Sequence, residues 1–217
     1  MPHQIVDERT EAYMRRLLER HDEPVLLEME AFAKQEKFPI VNRHVGVTIE
    51  LLARIHGARR VIELGSGFGY SAYWWARGTG DGEIHCTDGS PSNAKRAEGY
   101  LKRAGIWDRI RWHVGDAVTA MQELDGDFDI IYNDIDKNGY PDAWKAARER
   151  IRIGGLYVCD NVLWSGWVAE ESTLLEEGPD GWTEAIRTHN QLITDDADFL
   201  STILPIRDGV IVALRLS

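Results

Sequence analysis

The spacing of apolar residues changes character about a quarter of the way along the chain. From Asp7 to about His56 the residues Leu17, Leu18, Val25, Leu26, Met29 and Phe32, and then Ile49, Leu51, Leu52 and Ile55, recur at helical intervals. Pro24 and Pro39 cut this stretch into separate helices. Beyond it, short apolar runs alternate with helical segments. The runs predict strands at residues 60–64, 83–87, 110–114, 128–133, 156–159, 199–204 and 210–216. Helices are predicted through 73–76, 94–104, 118–124, 142–150 and 183–192, with a long loop between 162 and 181. Such alternation calls for right-handed crossovers and a parallel sheet covered on both faces. The last two runs are separated only by the turn Leu204-Pro205-Ile206-Arg207-Asp208-Gly209, which suits an antiparallel hairpin. The expected architecture is α/β: a doubly wound, mostly parallel seven-stranded sheet with a C-terminal antiparallel hairpin. It forms one domain over residues 1–217, with 1–56 as an N-terminal helical cap on a core of 57–217.

Composition narrows the possibilities without naming a chemistry. A chain of 217 residues with 43% hydrophobic content can bury a sizeable core. No apolar run is long enough to span a bilayer, and Met1-Pro2-His3-Gln4 leads into charged helix, so a cytoplasmic protein is expected. With 36 acidic against 25 basic residues, the net charge of -11 works against sequence-independent binding to nucleic acid or anionic lipid. Cys86 and Cys159 each lie in an apolar run and are expected as buried free thiols.

The densest chemical signal is Val61-Ile62-Glu63-Leu64-Gly65-Ser66-Gly67-Phe68-Gly69-Tyr70-Ser71, a strand that passes through an acidic residue into a glycine-rich turn and a helix. Dinucleotide sites use Gly-x-Gly-x-x-Gly, but Tyr70 stands at the last glycine position, which leaves little room for a pyrophosphate. Glu63 would repel phosphate and attract an amine or sulfonium, so the turn suits S-adenosylmethionine. Gly65 and Gly69 allow close backbone approach, with Tyr70 and Ser71 following. Asp88 lies 23 residues after Gly65, near the spacing at which a carboxylate accepts ribose hydroxyls, although Asp88-Gly89-Ser90-Pro91 is equally good turn chemistry. Asp116 and Ala117, after the third strand, are placed to meet the adenine.

The fourth and fifth strands end in Asp134-Ile135-Asp136-Lys137 and Asp160-Asn161. If those strands are neighbours, Asp134, Asp160 and Asn161 come within reach of one ion beside the cofactor. An all-oxygen set suits Mg²⁺, with Mn²⁺ or Ca²⁺ as alternatives, and Asp136 competes as a ligand. Lys137 either balances these carboxylates or, beside a dication and partly buried, serves as a base. Trp164 and Trp167 are candidates to wall a flat acceptor.

These residues resemble the metal-dependent class I O-methyltransferases that include catechol and caffeoyl-coenzyme A O-methyltransferases. The matching elements are Glu63-Leu64-Gly65 with Gly69-Tyr70-Ser71, Asp134-x-Asp136-Lys137-x-x-Tyr140, Gly154-Gly155, Asp160-Asn161-Val162-Leu163-Trp164-x-Gly166 and Leu204-Pro205-x-x-Asp208-Gly209, covering Phe38 to the C-terminus. The resemblance implies a Rossmann-like methyltransferase, with Asp134, Asp160 and Asn161 as metal ligands and Lys137 as base. It also implies Glu63 and Ser71 at the cofactor's methionine end and Asp88 on the ribose. The expected acceptor is a small aromatic diol of catechol type. Alternatives are a tRNA hydroxyuridine O-methyltransferase and a non-catalytic S-adenosylmethionine-binding module. The helices before Phe38 are expected to cover the acceptor site or to build a homodimer interface. Departures are Gly67, where the family has a larger residue, Asn133 in place of an apolar residue, and an acidic loop at 172–181.

Overall fold

A computed structural model describes residues 6–170 and 181–217. The N-terminal region folds into three helices, each with a local reason to start and stop. Helix α1, Glu8–Leu17, is capped by Asp7, which accepts hydrogen bonds from the Arg9 and Thr10 amides at 3.0 and 3.2 Å. Helix α2, Pro24–Glu36, begins with proline in its first turn and ends where Lys37 turns left-handed. Helix α3, Arg43–His56, is capped by Asn42 and closed by a left-handed Gly57. While α1 buries none of its residues, Leu26 and Met29 of α2 and Val45, Ile49 and Ala53 of α3 are buried in the main core. The expected cap is thus built into the globule. A buried cation reinforces the join: Arg43 Nε donates to Glu30 Oε1 at 2.6 Å and its guanidinium also pairs with Asp22.

The sheet has the order β3-β2-β1-β4-β5-β7-β6. Its strands are β1 Arg60–Leu64, β2 Glu83–Asp88, β3 Ile110–Val114, β4 Phe128–Asn133, β5 Ile151–Cys159, β6 Phe199–Leu204 and β7 Val210–Arg215. The first five are parallel, whereas β7 runs antiparallel between β5 and β6. Helices α4 Tyr70–Gly78, α5 Pro91–Arg103, α6 Ala117–Glu123, α7 Tyr140–Ala147 and α8 Trp182–Thr194 complete the layers. Alternation along β1 feeds two cores: Val61 packs with α3, α4 and α5, and Ile62 and Leu64 pack with α7 and α8. One strand start differs from expectation. β5 begins at Ile151 rather than 156, because the Gly154-Gly155 pair is absorbed as an irregularity in its pairing with β4 rather than ending the strand. Cys86 and Cys159 are both free and buried, and no helix among the described residues is long and apolar enough to cross a membrane.

Candidate active site

Strand order reverses between β1 and β4, and there the chain crosses itself closely. The register pairs Leu64 with Asn133 and Asn133 with Cys159, so the residues that follow each strand line up across the sheet. The Asp134 amide donates to the Leu64 carbonyl at 2.9 Å, and a Cβ on Gly65 would lie 2.6 Å from the Asp134 carbonyl oxygen. Gly65, with φ +86°, is therefore required by backbone contact. Over this crossing opens a cleft of about 910 Å³ that extends from β3 to the β6–β7 turn.

The β3 and β2 side of the cleft holds Asp116, Ala117 and Asp88. Asp116 caps α6 through the Thr119 amide at 2.8 Å, a bond that lowers its pKa. Asp88 accepts from the Ser90 amide at 2.8 Å and from Asn93 Nδ2 at 3.0 Å, both on Oδ1. The turn chemistry anticipated for Asp88 is thus present, and it orients a carboxylate that still faces the cleft.

Glu63 sits beneath the crossing, fully buried, and neither carboxylate oxygen has a hydrogen-bond partner. Burial pushes its pKa up to about 7, against the nearby Ser71 and Ser66 hydroxyls. Ser66, Tyr70 and Ser71 line a recess of about 30 Å³ that shares Gly65 and Asp134 with the large cleft. An orphaned buried carboxylate next to a glycine whose Cβ has no room fits the amino-acid end of S-adenosylmethionine. Tyr70 is held from behind, its hydroxyl donating to Glu30 Oε1 at 2.7 Å. Gly69 also serves packing: a Cβ there would press on Leu101 and Ala97 of α5 at 3.1 and 3.2 Å.

At the β4 and β5 ends, Asp134, Lys137 and Asn161 line the cleft and Asp160 lies buried beside them. Lys137 Nζ donates to Asp134 Oδ1 at 3.0 Å, to the Ile135 carbonyl at 3.3 Å and to the Tyr140 hydroxyl at 2.8 Å. Tyr140 in turn donates to the Asp160 carbonyl at 2.9 Å. Burial raises the pKa of Asp134, opposed by Lys137, and that of Asp160, opposed by Arg207. Asp160 Oδ2 accepts from Arg207 Nη1 at 2.7 Å, while Oδ1 has no partner. Asn161 adopts φ +60° and its amide reaches Asp208 Oδ2 at 3.4 Å. Two carboxylates, one with an open oxygen, and an amide carbonyl fit a hard divalent cation. No group of three or more His, Cys, Asp or Glu side chains suited to a metal occurs among the described residues, the third donor here being an amide. Asp136 lies beyond the end of β4, so strand alternation does not set its direction, and it is exposed.

Trp164 lines the cleft and its ring meets that of Trp182 at 5.5 Å, whereas Trp167 is not part of the lining. The acidic loop expected at 172–181 lies outside the described residues except for Gly181. Three participants escaped the sequence reading of the site: Trp182, Tyr140 and Arg207. The motif that carries Tyr140 was visible, but its bond to Lys137 was not. Arg207 was visible only as part of a hairpin turn.

A seven-stranded sheet in this order, with an acidic residue under the first glycine turn and a cleft across the switch point, defines a class I methyltransferase fold. The family model described as O-methyltransferase matches residues 18–216. The chain is 34% identical over 155 residues to a catechol O-methyltransferase of Mycobacterium tuberculosis, covering 70% of each chain. It is 28% identical over 190 residues to a probable caffeoyl-CoA O-methyltransferase of Dictyostelium discoideum, covering 82% of this chain and 81% of the relative. The O-methyltransferase TomG of Streptomyces achromogenes, solved in complex with SAM, superposes with a TM-score of 0.80 at 27% identity over 90% of this chain and 91% of TomG. The chain belongs to this O-methyltransferase family and is an S-adenosylmethionine-dependent O-methyltransferase.

Proposed function

We propose that the enzyme transfers the methyl group of S-adenosylmethionine to one hydroxyl of a vicinal-dihydroxy aromatic of catechol type. We further propose a divalent ion, Mg²⁺ in the first instance, held by Asp134, Asp160 and Asn161. The observation that carries the reading is the division of the cleft. Asp88 and Asp116 lie toward β2 and β3, whereas Lys137, the oxygen donors and the Trp164–Trp182 wall lie toward β4, β5 and the β6–β7 turn. The names of the relatives, catechol and caffeoyl-CoA O-methyltransferases, point to the same acceptor class.

A phenol with a pKa of about 10, as in tyrosine, is mostly neutral at pH 7 and a poor nucleophile. A divalent ion at the oxygen donors would supply positive charge that favours the ionised hydroxyl. Lys137 pairs with Asp134 as a cation, and once it has lost a proton beside a bound dication its neutral amine is placed to take the acceptor's proton, with Tyr140 and Asp134 holding it in the cleft. The tryptophan rings keep a flat acceptor against that amine and exclude water. The acceptor oxygen forms its bond to the methyl carbon as the carbon–sulfur bond breaks. S-adenosylhomocysteine leaves, the proton passes to Lys137, and no covalent enzyme intermediate is formed. Cytoplasmic location and a homodimer belong to the same reading, the latter checked by light scattering.

The test measures S-adenosylhomocysteine formation with catechols, caffeoyl thioesters and hydroxyuridine-containing tRNA, each with Mg²⁺ and with EDTA. Mg²⁺-dependent product from a small catechol is expected. Turnover of tRNA alone, or equal turnover in EDTA, would overturn the acceptor or the metal part respectively.

A further inference from the structure

The two carboxylates of the oxygen-donor cluster each already have a cation. Lys137 Nζ lies 3.0 Å from Asp134 Oδ1, and Arg207 Nη1 lies 2.7 Å from Asp160 Oδ2. The second pair is built differently from the first. Lys137 is on the loop that carries its own partner, but Arg207 comes from the β6–β7 turn, 47 residues further along the chain than Asp160.

That turn is anchored on all sides. The Val162 and Leu163 amides donate to the Gly209 and Asp208 carbonyls at 3.1 and 2.9 Å, and the Asp208 carboxylate accepts from the Ser165 amide. Arg207 itself adopts φ +51°, the left-handed region that an arginine rarely enters. Its Nη2 donates to the Ile40 carbonyl at 3.2 Å, so both ends of the guanidinium are held. The charge reaches a fully buried carboxylate from an anchored turn, while the arginine side chain itself stays 28% exposed and so has a route to solvent.

We propose that Arg207 is a built-in competitor of the divalent cation at Asp160, and that it sets how tightly this enzyme holds its metal. A dication placed on Asp134, Asp160 and Asn161 must either displace the guanidinium or bind beside a like charge. The arginine thus lowers metal affinity while keeping Asp160 paired when no ion is bound. The proposal rests on the reading of those three residues as the cation seat.

The experiment uses the full chain without cofactor and follows Mn²⁺ binding by electron paramagnetic resonance in wild type, Arg207→Met, Arg207→Lys and Asp160→Asn. Thermal unfolding of the same proteins is followed in EDTA and in Mn²⁺. Arg207→Met is expected to bind Mn²⁺ about tenfold or more tightly than wild type, because removing one member of a buried charge pair leaves the other in need of a cation. Arg207→Lys should fall between the two. In EDTA, Arg207→Met should melt below wild type, and Mn²⁺ should narrow that gap. Equal affinities in wild type and Arg207→Met would overturn the competition and leave the ligand assignment standing. No Mn²⁺ binding by either protein, or binding undiminished in Asp160→Asn, would overturn the ligand assignment and the proposal with it.

Discussion

Replacing Glu63 by Gln should make the ligand-free protein more stable in alkaline buffer and less able to bind its cofactor. Glu63 is 0% exposed, and both its oxygens lack partners in the folded chain. Burial lifts its pKa from 4.5 to about 7. At about 1.4 kcal/mol per tenfold change in proton affinity, that rise corresponds to roughly 3 kcal/mol of lost stability once the group is ionised. The sign follows from proton counting. Between the unfolded and folded values the folded chain binds the extra proton, so stability falls as pH rises through this window and levels off above it. Gln carries no such proton. The advantage of Glu63→Gln should therefore be near zero below pH 4.5, roughly 1.4 kcal/mol at pH 5.5 and roughly 3 kcal/mol at pH 8.5, on top of a pH-independent offset from the buried amide. Urea unfolding of both proteins across that range measures the difference. Calorimetry with S-adenosylhomocysteine at pH 7.5 should show weaker binding in the variant, since the amino end loses its counter-charge. A stability difference that does not change with pH would refute the reasoning, and unchanged S-adenosylhomocysteine affinity would remove Glu63 from the cofactor site.

Gly65→Ala should destabilise the protein by about 2 kcal/mol in urea unfolding, through the Cβ contact with the Asp134 carbonyl and the left-handed backbone. A change under about 0.5 kcal/mol would mean that the two loops do not cross so closely. Tyr140→Phe removes one hydroxyl that serves both Lys137 and the Asp160 carbonyl. It should lower stability by about 1–2 kcal/mol and lower kcat with little change in S-adenosylhomocysteine affinity, whereas an unaltered kcat would separate Tyr140 from the role proposed for Lys137.

Local pattern carried most of the fold because each strand is a short apolar run bounded by a turn that the next helix begins. Ile130, Ile131 and Tyr132 in β4 and Val158 and Cys159 in β5 are buried on both faces of the sheet, and so read as unbroken runs. The glycine turn and the two acidic strand ends were legible for the same reason: each is contiguous. Much of what escaped notice depends on contacts between distant segments. Arg207 meets Asp160 and Ile40 across 47 and 167 residues, and nothing near it in sequence marks that pairing. Asn133 stands where an apolar residue was expected before Asp134, yet its amide donates to the Tyr157 hydroxyl at 3.0 Å, which lies 3.0 Å from His189 Nε2. His189 is itself buried, with its pKa lowered to about 4, so this chain of polar groups is neutral and supports the strand ends from behind. Gly69 has a packing role that was equally hidden, because a glycine needed for helix packing is indistinguishable in sequence from one that makes way for a ligand.

The placement of β7 between β5 and β6 bears on how the enzyme comes into being during synthesis. Arg207 and Asp208, which close the cleft, precede a strand that must pair on both sides before their turn is fixed. A nascent chain that has emerged only through β5 has its glycine turn and its acidic strand ends, but it has an open sheet edge and lacks the guanidinium. The end of the cleft that Arg207 and Asp208 line is therefore the last part of it to be fixed, when the final hairpin docks.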